Sequence, residues 1–131
     1  MIVVDSSALC TVFFKEPEKS AFQAIIDGDD RCVISAVNAH ETASVLRGKL
    51  GDAAVAQFWQ RLADNRIEIV PFDATQARAA SDAYGRYGKG INSKASLNLS
   101  DCAADPLAKT LGARLLFKGN DFPETDIQSA A

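Results

Sequence analysis

Met1-Ile2-Val3-Val4-Asp5-Ser6-Ser7 decides the reading of this chain. A short β-branched run ends in an acid and two hydroxyls. The run has the character of a strand buried on both faces, as in a parallel sheet. In open α/β sheets, ligands bind beyond the carboxyl ends of the strands, and Asp5 stands at that point. Two roles are open to it on this stretch alone: chemistry, or capping of the helix that follows.

The remainder alternates strands and helices. Ala8 to Phe14 is apolar enough for a short buried helix. Glu16-Pro17-Glu18 opens a second helix, with Pro17 at an early position that tolerates it. Phe22, Ile25 and Ile26 recur there at helical spacing, and Asp27-Gly28-Asp29-Asp30 ends it. Cys32-Val33-Ile34 is a second strand, closed by Ser35. Residues 36 to 50 read as a helix with Ala39, Ala43, Leu46 and Leu50 on one apolar line. Glu41 lies on another, between Val37 and Val45. A carboxylate there is costly to bury alone, so it is either exposed through a gap or paired with a cation.

Asp52 to Asp64 is an amphipathic helix with Val55, Phe58, Trp59 and Leu62 on its apolar face. Ile67 to Val70 is a third strand, and Asp73-Ala74-Thr75-Gln76 is a capping box for a helix to about Tyr87. Gly88 to Ser100 has little periodicity and reads as a long loop climbing back to the top of the sheet. A further helix begins near Asp101, and Ala113 to Phe117 is the fourth strand. Asp126-Ile127 is a candidate short edge strand.

The pattern predicts a three-layer α/β/α sandwich around a central parallel sheet of four to five strands, as one domain over residues 1–131. It also places Asp5, Glu41, Asp101 and Asp121 near one rim. Crowded carboxylates repel unless a hard cation neutralises them, and oxygen-only ligands suit Mg²⁺ or Mn²⁺. Such an ion activates water for attack on a phosphodiester.

Bulk properties narrow the classes. With 14 basic and 17 acidic residues the net charge is −3, so no general basic field advertises nucleic acid, while a metal would restore positive charge locally. The three cysteines, Cys10, Cys32 and Cys102, have no ligand-like spacing and suit a reducing compartment. The apolar start lacks a basic n-region, and no apolar run reaches the ~18 residues of a membrane span. A cytoplasmic protein is expected. His40 is the one histidine and no nucleophile elbow accompanies it. A phosphate-cradling Gly-Lys-Ser/Thr sequence is absent, and Ser7 stands where an aspartyl-phosphate enzyme of the dehalogenase pattern would want a second Asp.

Four segments in this order carry a resemblance: Val3-Val4-Asp5-Ser6-Ser7-Ala8; Ile34-Ser35-Ala36-Val37-Asn38 with Glu41-Thr42; Leu97-Asn98-Leu99-Ser100-Asp101-Cys102; and Leu115-Leu116-Phe117-Lys118-Gly119-Asn120-Asp121-Phe122 with Thr125-Asp126-Ile127. Together they resemble the PIN-domain ribonucleases that act as toxins of VapBC-type toxin–antitoxin pairs. The resemblance implies metal-dependent RNA cleavage, a cognate antitoxin and a homodimer. It makes Asp5 and Asp101 the principal metal ligands, with Glu41 and Asp121 completing the acidic set and Ser6 or Ser7 supporting it. Basic residues interleaved with aromatics suit single-stranded RNA, which singles out Arg86, Lys89 and Lys94 beside Tyr84 and Tyr87. A solvated loop with anchoring aromatics is the other reading of that stretch. Lys118 is placed to touch a phosphate.

Two features depart from that pattern. Gly119 stands where many relatives carry an acid, and Asp105-Pro106 interrupts the helix begun near Asp101. Pro106 inside that helix would remove a hydrogen bond at ~3 kcal/mol. Alternatively Asp105 caps a later start, with Pro106 first in the helix. The departures motivate a second reading, a catalytically decayed domain that only binds RNA or antitoxin.

Overall fold

The computed structural model describes residues 1–88, 98–119 and 127–131. Its elements run β1 (Ile2–Val4), α1 (Ser6–Phe13), α2 (Lys19–Ile26), β2 (Cys32–Ser35), α3 (Ala36–Leu50), α4 (Asp52–Asp64), β3 (Glu68–Val70), α5 (Ala74–Tyr87), α6 (Asp101–Leu111) and β4 (Arg114–Leu116). The four strands form one parallel sheet in the order β3-β2-β1-β4.

Period-two alternation sorts the strands between two cores. Ile2, Val4, Cys32 and Ile34 pack with Leu9, Leu46, Phe58 and Leu62 from α1, α3 and α4. Val3, Val33 and Leu115 face the other way, onto Ala83 of α5 and Cys102, Ala104, Leu107 and Ala108 of α6. The result is the expected three layers.

The strand order matters for function. The chain steps from β1 outward to β2 and β3, then crosses back to place β4 on the other side of β1. That reversal opens a crevice beyond the carboxyl ends of β1 and β4, where Asp5 N–H donates to the Leu116 carbonyl at 2.9 Å.

Several details differ from expectation. Helix α1 begins at Ser6 rather than Ala8, because the Asp5 side chain caps it. Trp59 is 42% exposed and leans on the buried Phe58 ring at 4.9 Å instead of entering the core. Leu50, at the end of the apolar line of α3, is also exposed. Among the described residues an added edge pairing lies at Ser129, which bridges Leu115 in parallel; the candidate strand at Asp126-Ile127 falls partly outside the described residues, since Asp126 is not among them.

Pro106 sits inside α6, so the helix begins at Asp101 and not at Pro106. Gly112, with φ of 60°, ends the helix in the left-handed conformation that glycine adopts without strain. Proline at the sixth position leaves the Cys102 carbonyl without its helical donor. Pro106→Ala restores that amide. Urea unfolding is expected to show a gain of roughly 1–2 kcal/mol, below the full proline penalty because the unfolded chain also gains freedom. A loss of stability would mean that ring packing outweighs the missing bond.

Candidate active site

Three of the four expected acids line one cavity of about 250 Å³ at the crevice: Asp5, Glu41 and Asp101, with Ser6, Ser7, Cys10, Asn98 and Lys118. Asp5 follows β1, Glu41 lies in the second turn of α3, and Asp101 opens α6. Asp121 lies outside the described residues, as do Lys89 and Lys94.

Asp5 fills both roles open to it in the sequence. Its Oδ2 accepts the Ser7 amide at 3.0 Å, capping α1. Its Oδ1 is buried with no hydrogen-bond partner. Burial is the main force on this carboxyl and lifts it to about 6; the Ser7 hydrogen bonds pull it down, and the Glu41 charge adds to the rise.

Asp101 and Asn98 cap each other. Asn98 N–H donates to Asp101 Oδ2 at 3.0 Å, and Asp101 N–H donates to Asn98 Oδ1 at 2.8 Å. This reciprocal box starts α6 and keeps Asp101 at the cavity. Glu41 is half-buried and accepts a hydrogen bond from Ser100 Oγ. Among the described residues no cation pairs with it: Arg47 pairs with Asp52 at 3.0 Å, and Lys49 lies over the Phe14 ring. Of its two expected environments, the gap in the packing is the one found.

The flanking groups divide. Ser6 Oγ donates to the Asn38 carbonyl at 3.2 Å, and Ser7 Oγ accepts the Lys118 amide at 2.9 Å, tying the β1 and β4 ends together. Lys118 Nζ is held by Glu16 and by Glu18, the latter at 3.4 Å. The Glu16 hydrogen bond raises the lysine above its ordinary value, so it stays charged at the cavity edge. Arg86 lines a different cavity between α5 and α6, with Tyr87, Asp105 and Lys109. Cys10 borders the acids, and burial with their charges pushes its thiol up to about 11, so it rests as an uncharged wall and not a nucleophile.

Sequence reasoning gave Asn38, Asn98 and Ser100 no role, although all three stand in the quoted segments. Asn98-x-x-Asp101 has the spacing of a capping box, which was the available signal. Gly119 has a φ of 112°, where a side chain is strained, so this backbone favours glycine over an acid at that position.

The donor set fits a hard divalent cation. It is all carboxylate oxygen, and Asp5 brings a buried oxygen that nothing else satisfies. Among the described residues no group of three or more His, Cys, Asp or Glu is close enough to hold a metal by itself. Mg²⁺ does not require that, since it keeps several waters and takes one or two carboxylates.

With the fold and the cavity in view, comparison defines the class. The chain belongs to the PIN-domain family, whose model matches residues 2–128. It is 38% identical over 130 residues to ribonuclease VapC30 of Mycobacterium tuberculosis, covering 99% of this chain and 98% of that protein. It is 36% identical over 126 residues to ribonuclease VapC of Mycolicibacterium smegmatis, covering 96% and 97%. Among solved structures it shares its fold with the sarcin–ricin loop cleaving toxin VapC20 of Mycobacterium tuberculosis, at TM-score 0.80 and 14% identity over 97% and 96% of the two chains. It shares it also with DNA-bound VapBC from Salmonella typhimurium, at TM-score 0.73 and 12% identity over 98% and 94%.

The raised Asp5 carboxyl has a consequence for stability. Between its unfolded value of 3.8 and its folded value of about 6, the native state holds a proton the unfolded chain has released. In metal-free protein this group therefore withdraws stability as pH climbs through that window, by about 3 kcal/mol in all. Asp5→Asn keeps the shape without the charge. In urea unfolding from pH 4 to 7, the variant is expected to gain on wild type as pH rises. A constant difference across the range would contradict the buried, charge-crowded carboxylate.

Proposed function

We propose that this chain is a metal-dependent endoribonuclease, the toxin of a toxin–antitoxin pair, hydrolysing RNA phosphodiesters at the Asp5–Glu41–Asp101 cavity. The observation that carries the reading is the buried, unpartnered Asp5 oxygen on a wall shared with two further acids. Relatives that are named ribonucleases match across nearly the whole chain and support it.

Asp5 and Asp101 would hold Mg²⁺ or Mn²⁺. When bound, the ion supplies charge neutralisation at the scissile phosphate and a more acidic water. The residues do the placing. Ser7 fixes one oxygen of Asp5 and leaves the other for a cation. Asn98 fixes Asp101. Ser100 fixes one oxygen of Glu41, so that this carboxylate orients the attacking water and accepts its hydrogen bond. Water adds across the phosphodiester, one P–O bond breaking as another forms. Ser6 and Lys118 border the substrate phosphates, with Lys118 turned toward Glu16 and Glu18 until a phosphate competes for it. Asp121, Lys89 and Lys94 complete the proposed set from outside the described residues. Arg86, in the neighbouring cavity, would reach only a longer RNA.

Partners follow the same reading. Neighbouring folds include a toxin–antitoxin complex from Klebsiella pneumoniae, which supports a cognate antitoxin here, and a homodimer is proposed with it. Among the described residues no helix is long and apolar enough to cross a membrane. Three free cysteines suit the cytoplasm, and residues 1–131 are proposed to form a single PIN domain. The decayed-domain alternative drew on Pro106 and Gly119. Helix α6 nonetheless starts at Asp101, which weakens that alternative.

Purified, antitoxin-free protein is expected to cut RNA with Mg²⁺ or Mn²⁺ and not with EDTA. Asp5→Asn and Asp101→Asn are each expected to lose roughly 100-fold or more in rate. Metal-independent cleavage, or equal activity in both variants, would overturn the assignment. Inertness of the wild type across varied RNAs would return the decayed-domain reading.

A further inference from the structure

One side chain touches all three segments that carry the acids. Asn38 is fully buried in the first turn of α3, three residues before Glu41 and on the same side of the helix. Its Nδ2 donates to Ser6 Oγ at 3.2 Å and to the Ser100 carbonyl at 3.0 Å. Ser6 follows Asp5 directly, and Ser100 directly precedes Asp101. The Asn38 carbonyl in turn accepts from Ser6 Oγ at 3.2 Å and from Thr42 Oγ1 at 2.8 Å. Because a carbonyl only accepts, the amide nitrogen must be the atom facing Ser100. Asn38 Oδ1 is buried with no hydrogen-bond partner, so its two donor bonds alone orient the amide.

The arrangement answers a mechanical problem. Asp5, Glu41 and Asp101 repel one another in a partly dry cavity, and their segments come from residues 5, 41 and 101 of the chain. Without a brace, the β1–α1 turn and the start of α6 relax apart until the repulsion fades. The carboxylates would then be too far apart to share a cation. Ser100 extends the brace, since its carbonyl takes the Asn38 donor while its hydroxyl holds Glu41.

We propose that Asn38 is the positioning residue that sets the spacing of the three acids, and through it the affinity of the site for its divalent cation. This rests on the metal-site reading above. Asn38 touches neither substrate nor reacting atoms and acts only through Ser6 and Ser100.

The test is direct Mn²⁺ binding to wild type, Asn38→Ala and Ser6→Ala, read from the electron paramagnetic resonance signal of free Mn²⁺. Leu62→Ala, which opens a hole in the core under α4, controls for general destabilisation. All are measured at a temperature where circular dichroism shows them folded. Asn38→Ala is expected to bind roughly 10–100-fold more weakly, Ser6→Ala to fall between it and wild type, and Leu62→Ala to stay within about twofold of wild type. In RNA cleavage, the Mg²⁺ concentration for half-maximal rate is expected to rise for Asn38→Ala while the KM for RNA holds. Wild-type affinity in folded Asn38→Ala, or equal weakening in Leu62→Ala, overturns the proposal. If Asn38→Ala does not fold, Asn38→Thr, which keeps a donor of shorter reach, is judged by the same two criteria. Wild type that binds no Mn²⁺ removes the metal-site reading itself, and this proposal falls with it.

Discussion

The central constraint on this molecule is the repulsion among carboxylates gathered at the carboxyl end of β1. Asp5 is nearly inaccessible, one of its oxygens has no partner, and the Glu41 charge opposes its ionisation. Such a group costs stability unless something cationic joins it. The fold accepts that cost and surrounds it with bonds that prevent relaxation. The Ser7 amide and the Asn98–Asp101 box each fix one acid-bearing segment, and the Asn38 brace ties the segments together. Stability spent at one place and restored around it is the pattern expected of a functional site.

Topology explains why the acids meet at all. The crossing from β3 back to β4 leaves β1 flanked by strands whose connections leave in opposite directions. Its carboxyl end is thus a place on the rim that helices from both layers can reach. Helix α3, from the α1–α4 layer, brings Glu41, and α6 brings Asp101 from the other. The two cores on either side of the sheet anchor these helices, which suits a site that must keep like charges close.

Much of this was legible in the sequence because the signals were local. Short β-branched runs, helical spacing and the Asp73 capping box marked the elements within a few residues. Asp5, Glu41 and Asp101 could be placed on one rim from parallel-sheet logic alone. What was not legible depended on distant partners. Trp59 carries the same period as Phe58's neighbours, yet it lies at the edge of the face and stays partly in solvent. Whether Pro106 started or interrupted α6 turned on Asn98, whose side chain caps Asp101 five residues before the proline. Asn38 looked like an ordinary polar residue in a helix, because its role exists only through Ser6 and Ser100, 32 and 62 residues away. Arg86 shared a basic and aromatic stretch with the loop, but its helical phase turns it into the α5–α6 cavity.

The most direct test of this account is the titration of the Asp5 carboxyl by carbon NMR, in metal-free protein and again with saturating Mg²⁺. The account predicts a midpoint near 6 without metal, displaced to well below its ordinary value when the cation is present. An ordinary midpoint without metal, unmoved by Mg²⁺, would contradict the claim that this buried acid is held in wait for a cation.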